Sequence, residues 1–150
     1  MRLSRLLVSL GIMVIGSLAC AGPGSAPAAV GSAGGDTNSQ LVDVTLGEFT
    51  VHTDATEVGS GKVTFAVKNE GSAKHELVVL ESTGTTLSVD PQTGKATEDT
   101  SGVKHIGEID GLDAGKTKAL TLDLPAGTYL LICNIPGHYH LGMVAKLVVH

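Results

Sequence analysis

The residues best suited to chemistry lie near the end of the chain, on one short segment. Cys133, His138 and Met143 follow one another with four residues in each gap. A thiolate, an imidazole and a thioether are soft donors, and such a set favours copper among the first-row metals. One more imidazole would complete a trigonal site of two His and one Cys with a weak axial Met. His75, at the mouth of another apolar segment, can supply it.

The residues around these donors predict a rigid, nearly closed site. The alternation of the preceding segment places Tyr129, Leu131 and Cys133 on one face of a strand, which points the sulfur toward the core. Pro136 stiffens the segment that follows, and Gly142 permits a tight bend. We therefore expect the donors to be largely in place before a metal arrives.

Other histidines could compete for the site. His140 lies two residues beyond His138, but the equal spacing favours His138, and we expect His140 to be exposed. His105 could replace His75, although its segment is more polar. The two remaining histidines are expected at the surface: His52 and His150.

Two other kinds of chemistry are less consistent with these residues. Structural zinc prefers four strong ligands, often several Cys, and Met is a poor one. A Cys–His nucleophile would need an orienting Asn or Asp and an oxyanion site, and neither is evident around Cys133. We therefore predict a metal-binding protein that is not an enzyme.

Composition narrows the class of protein further. A chain of 150 residues with 42% apolar and 3% aromatic residues predicts one domain with an aliphatic core. Its formal charge of −5 argues against binding to nucleic acid, which requires clustered Lys and Arg.

Residues 1–21 have the pattern of an export signal. Arg2 and Arg5 precede the apolar run 6–15, which is too short for a comfortable membrane span. Cleavage before Gly22 would release a secreted or periplasmic protein. In the other route Cys20 becomes a lipidated first residue that tethers the protein to a membrane. Residues 17–20 only loosely match a lipoprotein signal.

The next segment, 22–40, is rich in Gly, Ala, Pro and Ser and predicts a flexible linker. A disulfide between Cys20 and Cys133 would require Cys20 to remain in the mature chain and reach across this linker. We do not expect it.

The remaining residues, 41–150, alternate in short apolar segments separated by Gly-, Asn- and Pro-containing turns. The pattern predicts an all-β sandwich of seven or eight strands. The predicted strands are 41–46 (with 49–52 as a continuation beyond a bend), 62–68, 75–80, 103–109, 116–124, 128–133 and 143–149. Segment 81–102 is polar, and we predict no chemistry for it.

The end of the chain resembles the cupredoxins, the small blue-copper proteins. The resemblance is carried by the motif Pro-Ala-Gly-Thr-Tyr (125–129), Cys-Asn-Ile-Pro-Gly-His (133–138) and Gly-Met (142–143), with His75 upstream. Its Cys–His–Met spacing is most similar to the auracyanin and sulfocyanin types, since plastocyanin has a shorter first gap. The motif covers the last 35 or so residues and His75, and the layout covers 41–150.

The resemblance implies a Greek-key β-sandwich and one type 1 copper ion. By this resemblance His75 and His138 are the equatorial imidazoles, Cys133 the thiolate and Met143 the axial ligand. The implied function is one-electron transfer between redox protein partners. The export signal adds a location in the periplasm or on the extracellular face of a membrane, and we expect a monomer. Storage, delivery or sensing of copper by the same fold is the alternative.

The resemblance also raises two points about the surroundings of the site. Many cupredoxins have Asn after the first His, where it ties two ligand-bearing loops together, and here Glu76 occupies that position. Electrons are expected to pass through the exposed edge of His138. An apolar docking patch of Ile135, Pro136 and Leu141 would surround that edge.

Overall fold

A computed structural model describes residues 39–150, and every regular element in this part of the chain is a β-strand. The nine strands are β1 Gln40–Gly47, β2 Thr50–Thr53, β3 Glu57–Val58, β4 Gly61–Asn69, β5 His75–Ser82, β6 Val103–Leu112, β7 Thr117–Leu124, β8 Gly127–Ile132 and β9 Val144–Val149. The predicted export signal and nearly all of the predicted linker lie outside the described residues. Residues 39–150 contain no helix that is long and apolar enough to cross a membrane.

The strands form two mixed sheets that pack face to face. One sheet has the order β2-β1-β4-β7 and the other the order β3-β9-β8-β5-β6. Within them β1 runs parallel to β4 and β3 parallel to β9, and the other pairs are antiparallel. Neighbours such as β5 and β8 are distant in sequence, which is typical of Greek-key connections. The predicted all-β sandwich is confirmed.

The core between the sheets follows the alternation of the sequence. On β1 and β4 every second residue is buried, and the buried side chains are Val42, Val44, Leu46, Val63, Phe65 and Val67. The opposite sheet contributes Tyr129, Leu131 and Cys133 to the same cluster, as predicted. Because successive side chains on a strand point to opposite faces, the sequence pattern is enough to place these residues.

A second apolar cluster covers the outer face of the other sheet. Val78, Leu80, Leu130 and Ile132 point away from the main core and are nevertheless buried. The segment between β5 and β6 covers them with Leu87 and Ala96. We call this segment, residues 83–102, the covering segment. Because the covering segment lies over the outer face, β5 is buried on both faces, and its sequence is therefore a nearly continuous apolar run.

Two details differ from the sequence prediction. The strand count is nine rather than seven or eight, because the two-residue strand β3 pairs with the end of β9. The segment 49–52 does not continue β1; the chain reverses at Glu48 and Phe49, and β2 pairs antiparallel with β1. Phe49 has a φ of 59°, a conformation that non-glycine residues rarely adopt.

Candidate metal centre

Three of the predicted donors converge at one end of the sandwich. His75 opens β5, Cys133 follows the last residue of β8, and His138 lies in the loop 133–143 that connects β8 to β9. The Nδ1 atoms of His75 and His138 lie 3.8 Å and 3.5 Å from Cys133 Sγ. His75 and Cys133 are buried, and His138 is partly exposed.

These separations fit a small trigonal site. Metal–nitrogen bonds of about 2.0 Å and metal–sulfur bonds of about 2.3 Å place N and S roughly 3.7 Å apart across a 120° angle. The two imidazole rings are tilted by 59° with centroids 5.1 Å apart, so they converge on the sulfur without stacking on each other. The residues present therefore fit one metal ion.

Met143 lies in the same core cluster as Cys133 and is fully buried. Its carbonyl oxygen accepts a hydrogen bond from the Cys133 N–H, and its own N–H donates to the His138 carbonyl. The backbone therefore ties the methionine to two of the other donors. The structure places all four predicted residues in one region, with the histidine and cysteine donor atoms in direct proximity.

The Cys133 thiol is held in a largely apolar environment. Burial raises its pKa, and this effect outweighs the backbone N–H groups of Ile135 and Glu76, which donate to the sulfur and lower it. Without a metal the side chain is a protonated thiol, so metal uptake must release a proton. The two N–H groups are already aimed at the sulfur on which a thiolate charge would lie.

His75 is enclosed by residues that its sequence position does not reveal. Burial is the main cause that lowers its pKa, so the free imidazole is held neutral and ready to bind a metal. Its Nε2 atom is buried and has no hydrogen-bond partner in residues 39–150. A Cβ at Gly71 would lie 2.9 Å from that atom and from a Glu48 carboxylate oxygen, so a side chain there would displace one of the two groups.

Glu48 contributes a negative charge near the same ring. Its carboxylate accepts hydrogen bonds from the N–H and hydroxyl groups of Ser72 and from the N–H of Ala73. These bonds lower its pKa to about 2. The charge also counteracts the lowering of the His75 pKa.

Comparison with known proteins identifies the family. Residues 30–150 match the model of the sulfocyanin (SoxE) domain. This chain is a cupredoxin of the sulfocyanin family. As a member of this family, the protein binds one copper ion, and the resemblance predicted from the sequence is confirmed.

Individual relatives agree with this assignment. The cupredoxin is 30% identical to the copper-resistant cuproprotein CopI of Pseudomonas aeruginosa, with 95% of this chain and 93% of the relative covered. It is similar to auracyanin A, a "blue" copper protein of Chloroflexus aurantiacus, with 30% identity and a TM-score of 0.53 over 75% of this chain and 99% of that one. Rusticyanin from Thiobacillus ferrooxidans shares the fold at 20% identity, with a TM-score of 0.56 over 75% of this chain and 77% of that one.

Glu76 occupies the position at which many cupredoxins have the Asn that ties two ligand-bearing loops together. Its backbone N–H lies near Cys133 Sγ and lowers the pKa of that thiol, and the Asn134 N–H in turn lies near the Glu76 carboxyl and lowers its pKa. Burial raises the pKa of the Glu76 carboxyl. The departure from the usual Asn therefore keeps a link between the strand that begins at His75 and the loop 133–143.

The exposed edge of the site is apolar. Pro136 and Leu141 are exposed beside the partly exposed His138, and Ile135 is half-buried. Phe49 adds a residue that sequence reasoning missed: its ring lies against the His138 ring and is 43% exposed. Phe49 reaches this position through the reversal between β1 and β2, which the sequence pattern did not show.

The competing histidines lie elsewhere. His140 is exposed, as expected, and so are His52 and His150. His105 lies on β6, next to a register shift at which Ile106 is an extra residue. The Nε2 atom of His105 lies 3.6 Å from the Glu108 carboxylate. It takes no part in the group formed by His75, Cys133 and His138.

Proposed function

We propose that this cupredoxin carries single electrons between redox proteins outside the cytoplasm. Its copper ion would be held by His75, Cys133, His138 and Met143, with the Met143 thioether as the weakest of the four donors. Copper supplies the redox chemistry by alternating between Cu(II) and Cu(I). The observation that carries the proposal is the convergence of two imidazoles on a buried cysteine, with one of these imidazoles reaching an apolar surface.

The protein's part in this function is to hold the donors still. Cys133 and Met143 are fully buried, and their backbones are hydrogen-bonded to each other. A site that is already formed changes little between oxidation states, which favours rapid electron transfer. Burial also limits access of water and helps to set the potential.

The assignment of the ligands is tested by the visible spectrum. Residues 39–150 with one equivalent of Cu(II) should show an intense blue thiolate-to-copper band that disappears on reduction. Cys133→Ser should lack the band, and His75→Ala should lose or strongly alter it. His140→Ala is the matched control and should keep it. A blue band that survives in Cys133→Ser would overturn the assignment.

Electrons would enter and leave at the apolar surface around His138. Phe49, Pro136 and Leu141 expose apolar area there, and Leu141 is 57% exposed. Such a surface suits brief contacts with a partner that has a similar patch.

A pair of matched variants tests this docking surface. Leu141→Glu places a charge beside His138. Leu41→Glu is the control: Leu41 is 62% exposed and lies at the start of β1, whereas the reversal that carries Phe49 follows the end of that strand. Leu141→Glu should slow electron self-exchange about tenfold, and Leu41→Glu should leave it unchanged. Equal rates in both variants would show that the patch is not the contact surface.

Copper handling is the second candidate, and one comparison favours it. The relative from Pseudomonas aeruginosa is described as a copper-resistant cuproprotein. A delivery protein should release copper readily to an acceptor, whereas an electron carrier should retain it in both oxidation states. The rate of Cu(I) transfer to a chelator, compared with the rate of electron self-exchange, separates the two functions.

Export is part of the proposal because the function requires redox partners outside the cytoplasm. The charged and apolar pattern of 1–21 supports it. Expression of the full chain in a bacterial host and mass spectrometry of the mature protein distinguish the two routes. A first residue at Gly22 indicates simple cleavage, and a lipid-modified Cys20 indicates a tether. An unprocessed chain in the cytoplasm would contradict export.

A further inference from the structure

The covering segment does more than shield an apolar face, because it is hydrogen-bonded to the loop 133–143. Four hydrogen bonds join residues 87–96 to residues 134–139, and none of them is local in sequence. Asn134 makes two of these bonds, and the other two link Gly94 to Gly137 and Leu87 to Tyr139.

Asn134 is the centre of this contact. It is 2% exposed and follows Cys133 directly. Its Oδ1 atom accepts from the Ala96 N–H at 2.6 Å, and its Nδ2 group donates to the Ala96 carbonyl at 2.9 Å. Nδ2 also donates to Glu98 Oε1 at 2.6 Å. The carboxamide therefore satisfies both backbone groups of one residue, as a neighbouring strand would.

Ala96, which pairs with Asn134, lies in a hydrogen-bonded hairpin. Residues 88–97 form a small hairpin in which the Asp90 N–H bonds to the Lys95 carbonyl and the Thr97 N–H to the Ser88 carbonyl. Gly94 has a φ of 70°, and a Cβ there would lie 3.2 Å from the Gly137 nitrogen. A side chain at this point would press against the backbone of the loop and strain its own φ, so Gly94 suits the close approach of the hairpin.

The fixed side chain constrains the peptide that reaches the sulfur. The N–H of Ile135 belongs to the peptide group of Asn134, and it donates to Cys133 Sγ. The Asn134 N–H also lies near the Glu76 carboxyl, whose pKa it lowers. With its side chain bonded to both Ala96 and Glu98, Asn134 has little freedom to rotate, so the Ile135 N–H remains aimed at the sulfur.

We propose that Asn134 is a positioning residue through which the covering segment sets the reduction potential of the copper site. Hydrogen bonds to the cysteine sulfur draw charge away from it and favour Cu(I). Release of Asn134 weakens the Ile135 N–H bond to the sulfur and therefore favours Cu(II). This role rests on Cys133 as a copper ligand and is independent of the protein's redox partners.

Asn134→Ala in the full chain loaded with copper tests the proposal. A redox titration against a reference couple should show the equilibrium constant for reduction falling by a factor of about two to ten, the equivalent of one ordinary hydrogen bond. The blue band should persist with an altered energy or width. Thr97→Val is the matched control, because it removes a hydrogen bond within the hairpin, from Thr97 Oγ1 to the Ser88 carbonyl, without touching the loop.

A charge-neutral exchange provides a second test. Asn134→Asp places a carboxylate beside the Glu98 carboxylate. Adding Glu98→Gln lets the new amide at position 98 donate to the new carboxylate at position 134 and returns the total charge to that of the wild type. The double variant should recover part of the potential lost in Asn134→Asp. This comparison carries the test if Asn134→Ala does not load copper.

Two results would overturn the proposal. One is an Asn134→Ala protein that unfolds at a lower temperature but keeps the wild-type potential and spectrum, which would show a purely structural role. The other is a Thr97→Val protein whose potential moves as far as that of Asn134→Ala. If Cys133 proves not to be a ligand, the wild type lacks the blue band or the band survives in Cys133→Ser, so that failure is recognised separately.

Discussion

The ring of Phe49 lies edge-on against the imidazole of His138, with centroids 5.7 Å apart and planes inclined by 76°. The geometry is the edge-to-face arrangement that aromatic rings favour. Phe49 is 43% exposed and adopts a positive φ, so backbone strain is present at the residue that places an apolar ring beside the partly exposed His138. The contact joins the β1–β2 reversal to the loop 133–143.

The first prediction concerns this contact. Phe49→Asn should slow electron self-exchange severalfold, and Phe49→Asp about tenfold, because each removes apolar docking surface and the second also adds charge. Both residues tolerate a positive φ, so neither adds backbone strain. Exchange is measured by NMR line broadening in mixtures of oxidised and reduced protein. Rates equal to the wild type in both variants would contradict a role in docking.

The second prediction concerns the axial ligand. Met143→Leu should keep the blue colour and raise the reduction potential, because loss of a weak donor favours Cu(I). Leu preserves most of the volume of this fully buried side chain, so the fold should be retained. Cyclic voltammetry and the visible spectrum measure both properties. Complete loss of copper would mean that Met143 does more than an axial ligand should.

The third prediction concerns Glu48 and acid stability. The pKa of its carboxyl is about 2 in the folded protein against an ordinary 4.5, so the ionised form stabilises the fold above pH 4.5. That contribution decreases as the pH falls from about 4.5 to about 2. The melting temperature of Glu48→Gln should therefore lie below that of the wild type at pH 7, with a smaller difference at pH 2.5.

Glu70→Gln is the control for this effect. Glu70 is exposed and pairs with Lys68 at the surface, where ion pairs contribute little. Its melting temperature should be close to that of the wild type at both pH values. A Glu48→Gln difference that is independent of pH would show that shape rather than charge is responsible. Circular dichroism of the metal-free protein measures all three proteins under the same conditions.

The fourth prediction concerns Tyr129, at the opposite end of β8 from the metal centre. Its ring is fully buried, and its hydroxyl donates to the Pro125 carbonyl at 2.9 Å. Tyr129→Phe should cost about 1 kcal/mol of unfolding free energy, the usual net value of one hydrogen bond. Urea unfolding measures the change. The potential and the blue band should not move, and a shift in either would contradict a purely structural role.

Much of the sandwich could be predicted from the sequence, because strand faces are a local property. The alternation of Val42, Val44 and Leu46 places these residues on one face whatever the rest of the chain does. The same alternation placed Cys133 in the core. The equal gaps from Cys133 to His138 and from His138 to Met143 could also be found in the sequence, because all three residues lie in one segment.

Other features depend on contacts between distant parts of the chain. His75 Nδ1 approaches Cys133 Sγ across 58 residues, and the sequence alone offered His105 as an alternative. The role of Phe49 depends on a chain reversal, because a strand that continued β1 would have carried its ring away from His138. In each case the decisive distance is set by how the sheets pack.

The covering segment shows this difference most clearly. Its polar sequence gave no indication of a role near the metal, yet Asn134 and Ala96, 38 residues apart, share two hydrogen bonds. By itself the sequence determined the fold class, the aliphatic core and the set of soft donors, since each follows from residue type and local spacing. The tertiary structure decided which imidazole meets the sulfur and which residues hold the donors in place, because those contacts form only when the two sheets and the covering segment are packed together.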